Sequence, residues 1–242
     1  MGIKDFFKKF FNKHVFNHKW QCLNCGREVF DKSNFCQDCY QILPFNDGYI
    51  CGHCGRKVIA PENYCTTCKG KLVYLDKCRS CFSYEKPINN LIYKLKFGNG
   101  RYLVDYFADR MFLTYSQNYF NADVITFVPM TDKSLKKRGY NQSELLAKAL
   151  SDKTLVPIVE CVKKVKETKR QTKLSRAERI KNLTDAFRVS DKKLVKEKTV
   201  LIVDDVTTTG STAEVIAERL KKAGAKQVYL ITVASTPPID KY

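Results

Sequence analysis

Beyond residue 88 the apolar positions switch between two spacings. Asn89 to Phe97 and Tyr102 to Phe112 carry them at helical intervals, and the turn Gly98-Asn99-Gly100 separates the two. Asp123 to Pro129 is a short apolar run closed by proline and predicts a strand. Gln142 to Leu150 reads as a helix. Thr199 to Asp204 is apolar and β-branched without alternation, the pattern of a strand buried on both faces. Ser211 to Ala223 predicts a helix stopped by Gly224, and Gln227 to Ala234 the next strand. Thr199 to Ala234 is therefore a β-loop-α-β unit with a right-handed crossover. The alternation predicts an α/β domain over residues 83–242, a parallel sheet flanked by helices.

Upstream the pattern changes. In residues 1–20, Ile3, Phe6, Phe7, Phe10 and Phe11 recur at helical spacing among Lys4, Lys8, Lys9 and Lys13. Two readings of this basic amphipathic leader stay open. It docks its phenylalanines on the protein's own core, the commoner case, or it lies on an anionic membrane. Residues 21–82 hold few long apolar runs, too little to fold by burial alone, and a module of this size needs a metal or disulfides.

With 43 Lys and Arg against 25 Asp and Glu, the net charge of +18 draws the chain to polyanions without choosing among nucleic acid, anionic lipid and phosphorylated small molecules. The 44% hydrophobic content excludes a disordered-tail composition. Lysines interrupt the leader's phenylalanines, so no apolar signal-peptide core is expected, and no stretch reaches the length of a membrane span. A cytoplasmic, reducing location is the expectation, and there paired thiols read as metal ligands.

Ten of the eleven cysteines fall in C-x-x-C pairs. Cys22/Cys25 and Cys36/Cys39 are repeated by Cys51/Cys54 and Cys65/Cys68, and Cys-x-x-Cys-Gly-Arg recurs in both halves. Two such turns complete a tetrahedron of thiolates with no open position, so two structural zinc sites are the simplest count. Exchange of pairs between halves stays open. Cys78 and Cys81 are either buried strand residues, the favoured reading, or substitutes at a zinc. Cys161 reads as a core thiol, and four thiolates leave His53 unneeded as a ligand.

The segment Val200 to Thr212 carries the most chemistry. A buried strand runs into Asp204 and Asp205, then a loop of Thr207, Thr208, Thr209 and Gly210, then a helix opening with Ser211 and Thr212. The helix start offers N–H groups and a positive dipole end to a phosphate. Gly210 lets the backbone close on the anion, and the hydroxyls add donors. The two acids would repel a bare phosphate. They suit sugar hydroxyls, and could help hold a ligand-bound Mg²⁺.

This segment resembles the phosphoribosyl pyrophosphate motif of type I phosphoribosyltransferases. The resemblance implies a type I phosphoribosyltransferase-like fold, with Asp204 and Asp205 on the ribose and Thr207 to Thr212 around the 5′-phosphate. A second set of residues narrows it: Val128-Pro129-Met130, Lys133, Lys136, Lys137, Arg138-Gly139-Tyr140-Asn141-Gln142, then Thr168, Gln171, Leu174, Arg176, Arg179, Asn182-Leu183 and Ala186-Phe187. With the cysteines this is similar to the ComF/GntX family, which the resemblance ties to DNA uptake in natural competence. It implies phosphoribosyl pyrophosphate with Mg²⁺ and single-stranded DNA as partners, a DNA-uptake helicase or channel as a further one, and a place at the inner face of the membrane. The Lys133–Arg138 loop follows a strand end, where α/β sheets hold ligands, and Arg138 is the choice for the pyrophosphate arm.

Three functions compete: phosphoribosyl transfer to a base or amine, nucleic-acid binding, and sensing of nucleotide precursors. No acceptor pocket is legible. The second draws on the cations of residues 163–198, with Lys163, Lys164, Lys166, Lys169, Arg170 and Lys173 as candidates. Tyr40, Phe45, Tyr49 and Tyr64 either stack on bases or build the module's small core.

Overall fold

The computed structural model describes residues 20–30, 33–58, 64–65, 68–69, 74–167 and 185–237. The chain divides into two compact units between Leu43 and Pro44. The leader, Lys169, Arg170 and Lys173, and the motif residues from Thr168 to Leu183 lie outside the described residues, apart from Trp20 at the leader's end.

The first unit contains one short helix among its described residues, α1 (Gln37–Gln41), which carries Cys39 inward. Phe35 and Leu43 are buried, as are Cys22, Val29 and Cys39. In the second unit, β1 (Lys77–Ser83), β2 (Val124–Phe127), β5 (Thr199–Thr207) and β6 (Gln227–Ser235) form a sheet in the order β1-β6-β5-β2. Every pairing is parallel, and the register sets Asp204 opposite Thr232. Two further strands, β3 (Val162–Lys164) and β4 (Phe187–Val189), form a separate antiparallel pair.

The helices are α2 (Ile88–Phe97), α3 (Val104–Gln117), α4 (Asp132–Arg138), α5 (Gln142–Thr154) and α6 (Ser211–Lys222). Val200, Ile202, Val228 and Leu230 share one buried cluster with Ala213, Ile216, Ala217 and Leu220 of α6. Successive strand residues alternate faces, so Leu201, Val203, Ile231 and Val233 point the other way, where α3 and α5 pack. Burial on both faces explains why β5 and β6 read as unbroken apolar runs.

Lys77–Ser83 is the edge strand β1, and Cys78 and Cys81 are buried in it, the favoured of their two readings. Two elements differ from the sequence expectations. Lys133–Arg138, expected as a loop, is the helix α4, which buries none of its residues and starts where the Thr131 side chain accepts the Ser134 N–H. Without an apolar stripe it has no periodicity to read. The helix expected from Tyr102 begins as a 3₁₀ turn (Gly100–Leu103) before α3.

Because β1 covers the edge of β6, a chain beginning at Tyr84 should show no cooperative thermal transition, whereas one beginning at Pro44 should melt cooperatively. Phe82, fully buried in β1, is alone worth roughly 3–5 kcal/mol by large-to-small precedent. Circular dichroism melts in the presence of zinc check the pair.

Candidate functional site

The C-terminal ends of β2 and β5 and the start of α6 build the site. Gly210 sits at φ +75°, a left-handed conformation that glycine adopts without strain, and no side chain caps the helix there. The first turn of α6 therefore faces the loop with helical N–H groups that the helix itself cannot satisfy. Around them the Thr209 and Ser211 hydroxyls are 2.8 Å apart. The loop's carbonyls are tied outward. Thr207 O accepts the Thr236 N–H (3.0 Å), and Thr208 O accepts from Arg56 Nη2 (2.7 Å) and Thr236 Oγ1 (3.2 Å). Thr207 is buried, while Thr208 and Thr209 are exposed at the loop's crest and Thr212 is half-buried.

The two acids have different partners. Asp205, 3% exposed, pairs with Lys96 Nζ at 2.8 Å and accepts the Val206 N–H. Asp204 accepts the Ser143 hydroxyl (2.8 Å) and the Asp205 N–H (2.9 Å). Its carboxyl is pushed up to about 7, first by burial and then by the neighbouring Asp205 charge, against the lowering effect of the Ser143 hydrogen bond. Neither Lys96 nor Ser143 stands out in the sequence as a site residue. Lys96 ends a helix that looks like core scaffolding, and Ser143 reads as part of the cap of α5, where Asn141 accepts its N–H.

Arg138 lies at the end of α4, with its guanidinium 4.8 Å from the Phe97 ring centroid and a hydrogen bond to Gln142. It lines a cavity of about 460 Å³ with Lys96, Phe97, Arg101, Lys137 and Tyr140. Lys96 thus joins the acid pair to this cavity. Arg101 stacks on Tyr140 at 4.5 Å. The cavity carries four cationic side chains and two aromatic rings, and no acid lines it. Lys133 and Lys136 are exposed on α4.

The candidate nucleic-acid lysines separate. Lys163 and Lys166 are exposed. Lys164 turns its ammonium over the Phe187 ring (5.7 Å), and burial pushes its pKa down, with Glu167 and Asp204 as its charged neighbours. It belongs more to the acid site than to an outer surface. Tyr40, Tyr49 and Tyr64 are exposed, whereas Phe45 stacks on Phe82 at 5.2 Å as core.

The cysteines form two groups, Cys22/Cys25/Cys36/Cys39 and Cys51/Cys54/Cys65/Cys68, with the four ligand atoms of each within 4.8 Å of one another. A tetrahedral zinc with Zn–S bonds of about 2.3 Å requires S···S edges of about 3.8 Å. Cys25 and Cys36 are 3.8 Å apart, and Cys54 and Cys65 3.7 Å. These edges fit a tetrahedral zinc, each half keeps its own pairs, and four ligands per site make the ion structural. Crowding couples the thiols: the hydrogen bond between Cys51 and Cys54 pushes the Cys51 thiol down to about 4 and the Cys54 thiol up. Cys78 and Cys81 join neither group; Cys78 Sγ donates to Cys54 O (3.2 Å), and Cys81 accepts from Thr114 (3.4 Å). Cys161 is fully buried beside Thr126. His53 Nε2 lies 2.6 Å from Glu214 on α6 instead of at a metal.

Residues 134–240 match the phosphoribosyl transferase domain family, and residues 22–70 the double zinc ribbon. Competence protein F of Haemophilus influenzae is 33% identical over 152 residues, a match spanning 60% of this chain and 66% of that protein. The DNA utilization protein YhgH of Escherichia coli K12 is 32% identical over 159 residues, spanning 63% of this chain and 69% of that one. Among solved structures, the glutamine phosphoribosylpyrophosphate amidotransferase of B. subtilis, complexed with ADP and GMP, aligns at 24% identity with a TM-score of 0.38, over 54% of this chain and 26% of its own. A parallel sheet of type I phosphoribosyltransferase architecture, a double zinc ribbon and this identity to competence and DNA utilization proteins together establish that the chain belongs to the ComF/GntX family.

Proposed function

We propose that the chain binds phosphoribosyl pyrophosphate with Mg²⁺ and handles single-stranded DNA during uptake in natural transformation. The observation that carries the ligand half is the junction of β5 and α6, where two carboxylates near the end of a buried strand precede a short hydroxyl-rich loop and an uncapped twelve-residue helix. In this reading the helix start and Thr207 to Thr212 hold the 5′-phosphate, and Asp204 and Asp205 accept the ribose hydroxyls. Lys96 gives up part of its pairing with Asp205 as the ligand enters and turns to the pyrophosphate arm with Arg138. Mg²⁺ arriving with the ligand offsets the remaining phosphate charge.

The DNA half rests on the relatives' names and on charge. Lys163 and Lys166 are exposed, and Lys169, Arg170 and Lys173 continue the same basic stretch. A cytoplasmic place and an uptake helicase or channel as partner belong to the same reading, as does the division into a leader, a zinc module and a transferase-like domain. Among the described residues no helix is long and apolar enough to cross a membrane. One observation favours a second reading, phosphoribosyl transfer: the cationic, aromatic-lined cavity beside Asp205 offers room for an acceptor. Stabilisation of the departing pyrophosphate by Lys96 and Arg138 would supply the main catalytic effect.

Calorimetric titration of phosphoribosyl pyrophosphate with Mg²⁺ tests the ligand half. Saturable binding should fall at least a hundredfold in Asp204→Asn/Asp205→Asn, and absence of binding by the folded, zinc-loaded wild type would sink the reading. A fall in single-stranded DNA affinity with rising salt, shallower when Lys163 and Lys166 become alanine, is the expected result for the DNA half.

The raised Asp204 pKa has a further consequence. The folded state favours the protonated carboxyl, so stability is fully present below the ordinary carboxylate range and is lost as pH rises toward about 7. Asp204→Asn should therefore melt higher than the wild type at pH 8, by on the order of 1–2 kcal/mol after allowance for partial exposure. The gap should close toward pH 4. Ligand affinity of the wild type should move the opposite way and weaken as pH falls below about 7.

A further inference from the structure

The second zinc knuckle sits against the phosphate loop. Arg56 follows its first C-x-x-C turn and is 5% exposed, and its Nη2 donates to Thr208 O at 2.7 Å. The knuckle's own hydrogen bonds fix the backbone that carries it, with Cys51 N–H donating to Arg56 O (2.9 Å) and Gly55 N–H to Cys51 O (3.1 Å). Gly55 lies at φ +70°, and a Cβ there would stand 2.7 Å from Cys78 O, so the turn rests directly on β1. Asn46 Nδ2 bridges Gly55 O (3.0 Å) and Ser235 Oγ (3.1 Å), which ties the knuckle to the end of β6. His53 reaches Glu214 in the first turn of α6 at 2.6 Å.

The internal repeat provides a comparison. Cys22-x-x-Cys25-Gly26-Arg27 has the same pattern as Cys51-x-x-Cys54-Gly55-Arg56. Arg27 pairs with Asp38 on the surface, both side chains more than half exposed at 66% and 74%. A Cβ on Gly26 would meet nothing within 4 Å. The same residues therefore stand in solvent in one copy and against the phosphate loop in the other.

We propose that Arg56 is a positioning residue for the phosphate loop, and that the second zinc site, unlike the first, supports ligand binding by holding Arg56 in place. The proposal rests on the reading of this loop as a phosphate site. A charge-assisted bond to Thr208 O turns that carbonyl away from the anion and leaves the loop's N–H groups facing it. The guanidinium also adds positive potential beside the ligand without touching it.

The test pairs hydrogen exchange of residues 207–212 with calorimetric titration of phosphoribosyl pyrophosphate and Mg²⁺, on the full zinc-loaded chain. Arg56→Ala should speed exchange in the loop and weaken binding about ten- to a hundredfold, the range for one charge-assisted hydrogen bond. Arg56→Lys, which keeps the charge and bulk if the alanine variant fails to fold, should show the same changes in smaller degree. Arg27→Ala should leave both readouts at wild-type values. Wild-type exchange and affinity in the Arg56 variants would overturn the proposal, as would an equal effect of Arg27→Ala. If the wild type binds no phosphoribosyl pyrophosphate, the ligand reading fails on its own, and faster loop exchange in the Arg56 variants still decides whether Arg56 holds the loop.

Discussion

A helix that begins without a side-chain cap leaves backbone N–H groups in need of acceptors, and the surroundings of Gly210 are arranged around that deficit. The parallel register of β5 and β6 brings Ser235 opposite Thr207, which places Thr236 where its N–H and hydroxyl take the loop's carbonyls. Arg56 takes Thr208 O from the other direction. With these carbonyls engaged, the first N–H groups of α6 and the Thr209 and Ser211 hydroxyls are the donors at the helix start. A neutral cap at Gly210 would relieve the deficit and close the site.

The acids next to it impose an opposite constraint. Two adjacent carboxylates at the end of a buried strand repel each other and lose hydration, which is why the Asp204 carboxyl sits near 7. Lys96 and Ser143 offset part of this, one with charge and one with a hydroxyl. Both compensating groups come from helices distant in sequence, α2 and α5, so the acid pair is stable only inside the completed fold. A ligand offering hydroxyls to the acids and phosphates to the lysine satisfies both at once. A simple anion satisfies only the loop. In the proposed reading, the site's electrostatics favour a sugar phosphate over inorganic phosphate.

Much of the second unit was legible because parallel strands buried on both faces leave a plain record. Thr199 to Asp204 and Gln227 to Ala234 lie within β5 and β6, and Gly224, at φ +97°, ends α6 where its type predicts. In β1 the C-x-x-C spacing of Cys78 and Cys81 matches that of the zinc pairs, so burial in a strand could be favoured over a zinc role, but the strand's bounds could not be read. α4 was hidden because an exposed helix of lysines carries no periodicity. The loop and acids could be read locally, since strand, acids, hydroxyls and helix are contiguous. Lys96, Ser143 and Arg56 could not, because each reaches the site only through tertiary contact, across 109, 61 and 152 positions of sequence respectively.

The duplicated cysteine motif shows where local reading ends. Spacing and chemistry alone call for two equivalent closed zinc sites, and both sets do bring four ligand atoms within 4.8 Å of one another. A site with four thiolate ligands has no open position, so it cannot act on a ligand through the metal. It can act only through the backbone it holds and the side chains that follow. Those differ between the copies: Arg27 meets Asp38 in solvent, and the buried Arg56 meets the Thr208 carbonyl of the loop. Functional asymmetry between two matching cysteine motifs therefore has to come from what each knuckle is packed against, and the second is packed against β1.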